Sequence, residues 1–94
     1  MKIVWTRRAL REIDQAFAFV ARDSPAAASA MVAAMEARAA VLAEHPEIGR
    51  PGRMDGTREL VLSGLPYILP YRVRDGRIEI LAVFHISRAW PDHL

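Results

Sequence analysis

The dipeptide Asp75-Gly76 most constrains the fold, because it lies between two runs rich in β-branched and aromatic residues. Asp-Gly supplies the two positive-φ residues that a type I′ hairpin turn needs, and the twist of this turn matches that of the flanking strands. The turn also sets the register of the hairpin. We therefore expect Val73 to face Ile78 and Tyr71 to face Ile80.

The hairpin belongs to a longer stretch, Thr57 to Trp90, that contains three apolar runs. Ser63-Gly64 separates the first run from the second, so the stretch predicts an antiparallel three-strand meander. Because side chains alternate along a strand, Arg72 and Arg74 should point away from the apolar face. A small sheet with one apolar face must be covered, and the first half of the chain is expected to cover it.

The chain before residue 46 predicts a short strand and two helices. Lys2 to Trp5 is an apolar run without helical period, and it is expected to join the edge of the sheet. Thr6 can cap a helix from about Arg7 to Arg22. The face of this helix that is predicted to meet the core contains Leu10, Ile13, Phe17 and Val20.

A second helix is predicted to begin at Ser24-Pro25, which offers a favoured N-cap followed by proline at the first helical position. Its apolar residues recur at helical spacing through an alanine-rich segment: Ala28, Met31, Val32, Met35, Ala39 and Leu42. The two methionines are read as core filler. The short link favours an antiparallel helical hairpin packed on the sheet, which makes the fold class α+β.

Length and composition indicate one domain, residues 1–94, that is soluble. The chain has no cysteine, which excludes disulfides and fits a reducing cytosol. The longest uncharged runs are too short to span a bilayer, and no secretory leader is expected at the N-terminus. No metal-ligand spacing or nucleotide-binding glycine loop is present, so no metal and no cofactor are expected.

Positive charge is concentrated in the second half of the chain. From Arg50 onward there are seven arginines and five acidic residues, whereas the charges before that point cancel. Arginine presents a planar fork to carboxylates and phosphates, so the pattern favours an interaction surface, with a merely solvated surface as the alternative. The irregular segment Pro46–Gly56 either contributes to this surface or only turns the chain, with Ile48 expected to be buried.

Several segments, taken in order, resemble the RelE/ParE superfamily of bacterial toxins. They are a strand and helical hairpin, then PEIGRPG at 46–52, TREL at 57–60, YILPYRV at 67–73, and ILAVFH at 80–85 with Arg88 and Trp90. The resemblance covers essentially the whole chain. It implies a helical hairpin on an antiparallel sheet, a cytoplasmic bacterial location and a cognate antitoxin.

The resemblance leaves two branches open: the RelE branch cleaves mRNA on the ribosome, and the ParE branch inhibits DNA gyrase. RelE-like nucleases carry an arginine directly after the tyrosine-like position of the third strand, where this chain has Ile68. They also carry a C-terminal tyrosine and basic cluster, whereas residues 84–94 contain no tyrosine and one arginine. These departures favour a ParE-like binder of gyrase without catalysis of its own.

The residues expected to contact the target or the antitoxin are Arg50, Arg53, Arg58, Arg72, Arg74, His85, Arg88 and Trp90. Trp90 either fixes the tail to the helical hairpin or serves as an aromatic anchor for a partner. If the chain is instead an mRNA endonuclease, the catalytic set is His85, Arg72 and Arg88, with His93 a further histidine of the tail. A third possibility is a degenerate, non-catalytic module that binds only the antitoxin.

Overall fold

A computed structural model describes residues 1–88, 90 and 94. The chain begins with strand β1 (Lys2–Trp5), followed by helices α1 (Arg7–Ala21) and α2 (Pro25–Ala40) and a 3₁₀ turn, Val41–Ala43. Five further strands complete the described part: β2 (Arg50–Pro51), β3 (Arg58–Val61), β4 (Tyr67–Arg74), β5 (Arg77–Ile80) and β6 (Phe84–His85).

The strands form one sheet in the order β1-β5-β4-β3-β2, and β6 pairs with β4 beyond the end of β5. Strands β2 to β6 pair antiparallel, whereas β1 joins β5 in parallel. The predicted fold, a helical hairpin on a small sheet with an N-terminal edge strand, is confirmed. The parallel edge makes the sheet mixed, because β1 is followed by helices that cross over the sheet rather than by a tight turn.

The central hairpin has the predicted turn and register. Asp75 has a φ of 52° and Gly76 a φ of 71°, as a type I′ turn requires. Val73 pairs with Ile78 and Tyr71 pairs with Ile80. The local chemistry of one dipeptide therefore places the apolar side chains of two strands.

The last predicted strand is interrupted. β5 ends at Ile80, and β6 then pairs with the other end of β4, where His85 faces Tyr67. Pro70 lies opposite the interruption, and its carbonyl accepts a hydrogen bond from Leu81 N–H at 2.8 Å. The N–H and C=O of one residue point toward the same neighbouring strand. The N–H that Pro70 lacks would therefore also point toward the gap between β5 and β6, where no regular strand pairing needs it. The prediction that Pro70 needs an edge or an irregularity is confirmed.

Both helix caps form as predicted. The Thr6 side chain accepts from Ala9 N–H, and the Ser24 side chain accepts from Ala27 N–H. The core between the helices and the sheet contains residues of β1, α1, α2 and the central strands. Its fully buried members include Met35, Leu42, Leu69, Tyr71, Ile78 and Ile80.

The predicted core face of α1 is partly wrong. Ile13 is buried, but Leu10 is 50% exposed and Phe17 is 37% exposed. The buried stripe is Ala9, Ile13 and Ala16. Small alanine side chains let the helix approach its neighbours closely, so the helix turns this stripe inward and leaves the larger apolar residues at its margin.

The loop after the helices is held by polar contacts and not by Ile48, which is exposed, so that expectation was wrong. The Tyr71 hydroxyl donates to the Pro46 carbonyl at 2.7 Å and accepts from Gly49 N–H at 2.9 Å. A Cβ on Gly49 would lie 2.5 Å from the Tyr71 ring, so only glycine allows this approach. The segment also forms the short strand β2, which the sequence did not predict.

Helix α2 and the 3₁₀ turn together, Pro25–Ala43, are long and apolar enough to cross a membrane by length and composition alone. Counting uncharged runs missed this segment because Glu36 and Arg38 interrupt it. In the structure its residues Met35, Ala39 and Leu42 pack in the core beneath the sheet. The segment therefore contributes one face to the core, and 22% of it is buried.

Tyr71→Phe is expected to lower the free energy of unfolding by about 1–3 kcal/mol, because the Pro46 carbonyl and Gly49 N–H would lose their partner in a buried setting. Urea unfolding followed by circular dichroism measures the change. Tyr67→Phe is the matched control on the same strand and face, since no hydrogen bond from its hydroxyl is found within residues 1–88. An equal loss in both variants would contradict the assigned role of the Tyr71 hydroxyl.

Candidate interaction surface

The two faces of the sheet separate the candidate residues into two groups. Along β4, Tyr67, Leu69 and Tyr71 point toward the helices, so the side chains between them point to the other side. We call that side the open face. The strand registers assign to it Lys2, Val4, Arg50, Glu59, Val61, Ile68, Pro70, Arg72, Arg74, Arg77, Glu79 and Phe84.

One end of the open face is a cluster of arginines around a single carboxylate. Arg72 Nε lies 2.5 Å from Glu79 Oε1, and Arg77 Nη2 lies 4.0 Å from Glu79 Oε2. Arg74 pairs across the strands with Arg77, and its Nε lies 3.9 Å from Asp75 Oδ2. The hydrogen bond from Arg72, with the charges of the other arginines, holds the pKa of Glu79 below its ordinary value of 4.5. The cluster keeps excess positive charge on the surface.

The other end of the open face is organised by Glu59, which is 1% exposed. Its Oε1 accepts from Arg50 Nε at 2.9 Å and lies 2.8 Å from Arg50 Nη2. Its Oε2 accepts from the backbone N–H of Arg53 at 2.9 Å. Two of the predicted contact residues are thus brought together by a carboxylate that the sequence analysis did not single out.

Trp90 lies against this end of the sheet. Its ring is 4.5 Å from the ring of Phe84, and the Arg53 guanidinium stands 4.0 Å from the Trp90 centroid. Trp90 therefore packs on the open face and not on the helical hairpin, and its role as an aromatic anchor for a partner stays a prediction. Its indole N–H is buried with no hydrogen-bond partner in the described part of the chain.

Arg58 lies apart from the open face. It pairs with Tyr71 across the strands, and its guanidinium donates to the carbonyls of Glu47 (3.3 Å) and Gly49 (2.9 Å). These bonds secure the loop from inside. Its predicted contact role has no support from this position.

His85 and Arg88 lie on the side of the helices. They line a cleft of about 200 Å³ with Arg8, Glu12 and residues 82–84. His85 packs edge-on against Tyr67, and its Nδ1 accepts from Ser87 N–H at 3.1 Å. A neutral ring held in this way carries its proton on Nε2. Burial raises the pKa of Tyr67 above its ordinary 10.0, with Arg88 opposing the rise.

The predicted nuclease set is not assembled. Arg72 is on the open face in an ion pair with Glu79, whereas His85 pairs with Tyr67 on the opposite face. Arg88 lines the same cleft as His85, and His93 lies outside the described residues. Within residues 1–88, 90 and 94, no group of three potential metal ligands is found.

Comparison with known proteins places this arrangement in a family. The family model described as the ParE toxin of the type II toxin–antitoxin system parDE matches residues 3–90. The chain belongs to the ParE toxin family. The expected superfamily and its ParE-like branch are confirmed.

Relatives of this ParE-family toxin support the same assignment. It is 49% identical over 94 residues to Y4kP of Sinorhizobium fredii, named as a candidate toxin, covering 99% of this chain and 96% of the relative. It is 37% identical over 87 residues to Toxin RelE2 of Caulobacter vibrioides, and the match covers 93% of this chain and 97% of the relative. A solved structure of the chromosomal ParDE toxin–antitoxin system from P. aeruginosa has a TM-score of 0.82 at 28% identity, covering 92% of this chain and 96% of that one.

Sequence reasoning missed Glu59 and Phe84 as parts of this ParE-family surface. A signal for Glu59 was present, because it is the lone acid in the strand segment 57–62 and follows two loop arginines. Alternation would have put its side chain opposite Leu60, on the open face. Phe84 had no such signal, since its position depends on the gap between β5 and β6.

Glu79→Gln is expected to destabilise the protein at neutral pH and to lose that effect in acid. The folded-state pKa of Glu79 is lowered, so its contribution is present above the unfolded pKa and disappears as pH falls through the folded pKa. Urea unfolding of the wild type and the variant, from pH 7 down to about pH 3, measures the difference. Glu36→Gln is the control, at an exposed helical position without an ion pair in the described chain. A constant difference across this range would contradict the assignment.

Proposed function

We propose that this type II toxin inhibits DNA gyrase by binding to it, without catalysis of its own, and that a cognate antitoxin neutralises it. The observation that carries the proposal is the separation of Arg72 from His85 and Arg88 by the thickness of the sheet. Cleaving RNA through its own 2′-hydroxyl needs a base, an acid and cations around one phosphate. Groups on opposite faces cannot meet one phosphate.

Two further positions support a binder rather than a nuclease. Ile68, which stands where RelE-like nucleases have an arginine, is 5% exposed and belongs to an apolar part of the sheet. Tyr67 has a raised pKa, so its hydroxyl keeps its proton near neutrality and is a poor base. Ile68 supplies no cation, and Tyr67 supplies no base.

The open face has the character of a protein-binding surface. Arg74 presents an exposed guanidinium at one end and Arg53 presents one at the other. The aromatic pair Phe84 and Trp90 lies next to Arg53. Arginine and tryptophan are the residues that most often dominate binding energy at protein interfaces. We assign the contact with gyrase to Arg50, Arg53, Arg72, Arg74 and Trp90.

The antitoxin is proposed to lay an amphipathic, acid-containing segment over the toxin. Helix α1 exposes Leu10, Phe17 and Phe19, with Phe19 68% exposed, and these side chains offer apolar surface to such a segment. Excess positive charge on the loop and sheet would speed the encounter with an acidic partner. The P. aeruginosa relative is described as part of a system that pairs a toxin with an antitoxin.

A ribosome-dependent mRNA endonuclease is the second candidate function. The observation that favours it is the cleft, which His85 and Arg88 line together while His85 Nδ1 is occupied by Ser87 N–H. One relative also carries a RelE name. In this version the chemistry would use the cleft alone, without Arg72.

A supercoiling assay tests the first function. Purified toxin is expected to block supercoiling by gyrase, and Arg74→Glu is expected to raise the half-inhibitory concentration by at least about tenfold, since it reverses a charge on the open face. Arg22→Glu makes the same charge change at the link between the helices and is expected to have little effect.

Unaffected supercoiling at saturating wild-type toxin would refute gyrase inhibition. Addition of the protein to a translation extract then separates the remaining possibilities. Cleaved transcripts that become intact with His85→Ala would establish the nuclease. Intact transcripts and no growth defect on expression without antitoxin would indicate a module that only binds antitoxin.

The affinity for the antitoxin is expected to fall as salt rises from about 50 to 500 mM, because the screening length shortens across this range. Phe17→Ser is expected to weaken binding equally at both salt concentrations, since it removes apolar contact and no charge. Titration calorimetry or surface binding measures both effects. Salt-independent affinity of the wild type would show that apolar burial alone drives association.

A further inference from the structure

Glu59 is the most deeply buried charged side chain on the open face. It is 1% exposed, although it lies on β3 only one strand from the edge of the sheet. Both oxygens are occupied: one binds the Arg50 guanidinium and the other binds the Arg53 backbone N–H. Burying a carboxylate is costly unless charged or hydrogen-bonding partners compensate, so these contacts are required wherever Glu59 is kept.

The contacts that compensate the burial of Glu59 also order the residues around it. Arg50 alone supplies a close ion pair, at 2.8 Å. The hydrogen bond from the Arg53 backbone N–H fixes the main chain of the loop. The side chain of Arg53 adds a second contact, since its Nε lies 3.9 Å from Glu59 Oε2. Two arginines around one carboxylate leave one positive charge in excess, and both side chains remain about half exposed.

The Arg53 side chain connects Glu59 to Trp90. Its guanidinium lies over the Trp90 ring at 4.0 Å, and the Trp90 ring lies 4.5 Å from Phe84 on β6. A cation over an indole face is attracted by the ring electrons, and tryptophan is the best partner for this contact. A continuous series of contacts therefore runs from a buried carboxylate on β3 to the aromatic pair near the end of the chain.

We infer that Glu59 is the positioning residue of the open face: its carboxylate fixes Arg50 and Arg53, and through Arg53 it seats Trp90 on Phe84. This inference rests on the proposed function, because it concerns the same contact surface. Ordering these side chains before the partner arrives reduces the entropy that binding must otherwise remove. Glu59 itself is covered and makes no contact with the partner.

The indole N–H signals of Trp5 and Trp90 in the ¹H–¹⁵N NMR spectrum of the full chain test the inference, with Trp90→Phe assigning the pair. Glu59→Gln keeps the shape of the side chain and removes its charge. It is expected to shift the Trp90 signal and leave that of Trp5 in place. Arg53→Leu removes the side chain that joins Glu59 to Trp90 at a position that is 51% exposed, and it is expected to shift the Trp90 signal as well.

Glu79→Gln is the matched control. Glu79 is also a strand carboxylate on the open face in an ion pair with arginine, but it has no contact with Arg53 or Trp90. Both indole signals should stay in place in this variant. In the supercoiling assay Glu59→Gln should raise the half-inhibitory concentration at least about tenfold at an unchanged fraction of folded protein.

An unmoved Trp90 signal in folded Glu59→Gln would overturn the inference, and so would an unmoved signal in Arg53→Leu or an equal shift in Glu79→Gln. If Glu59→Gln does not fold, Glu59→Asp, which keeps the charge but shortens the reach to the Arg53 backbone N–H, takes its place, and an unmoved Trp90 signal in it would overturn the inference. If wild-type toxin leaves gyrase untouched, the proposed function fails while the Trp90 signal still decides whether Glu59 positions Trp90. A shifted signal with unchanged inhibition would refute the role of this order in binding.

Discussion

Hydrogen bonding along both edges of β4 is the constraint on which the rest of the structure depends. One edge carries β3, and the other carries β5 and β6 in succession. Because side chains alternate, the pairing decides which residues are buried under the helices and which remain on the open face. Tyr71, at the middle of the strand, fills the core and also binds the loop through its hydroxyl. The division of candidate residues between two surfaces follows from this one strand.

Features that depend on short-range chemistry could be predicted from the sequence. Asp75-Gly76 determines the turn and its register because few residue pairs tolerate two positive φ angles. Thr6 and Ser24 mark the helix starts because their side chains satisfy backbone donors within the next turn. Pro70 identified the irregular part of the sheet, since proline lacks the donor that a regular ladder needs. Each of these signals acts within a few residues of its cause.

Features that depend on how elements meet could not be predicted in the same way. The helical period of α1 gave the correct element but the wrong inward face, because the alanine stripe allows a closer approach than Leu10 and Phe17 would. The positions of His85 and Trp90 depend on the gap before β6, which a continuous apolar run does not reveal. The role of Glu59 depends on a loop folded back beside it. In each case a tertiary contact outweighed the local pattern.

The parallel pairing of β1 with β5 has a consequence for the synthesis of the protein. Lys2 to Trp5 is made well before its partner strand, Arg77–Ile80, because both helices and three strands lie between them in the sequence. Contacts between such distant segments form late, because closing a long loop costs entropy before any contact compensates. A nascent chain that stops before Arg77 lacks both this partner strand and β6. Emergence of β5 and β6 from the ribosome, and not synthesis of the helices, is therefore the step that sets when this toxin can complete its sheet.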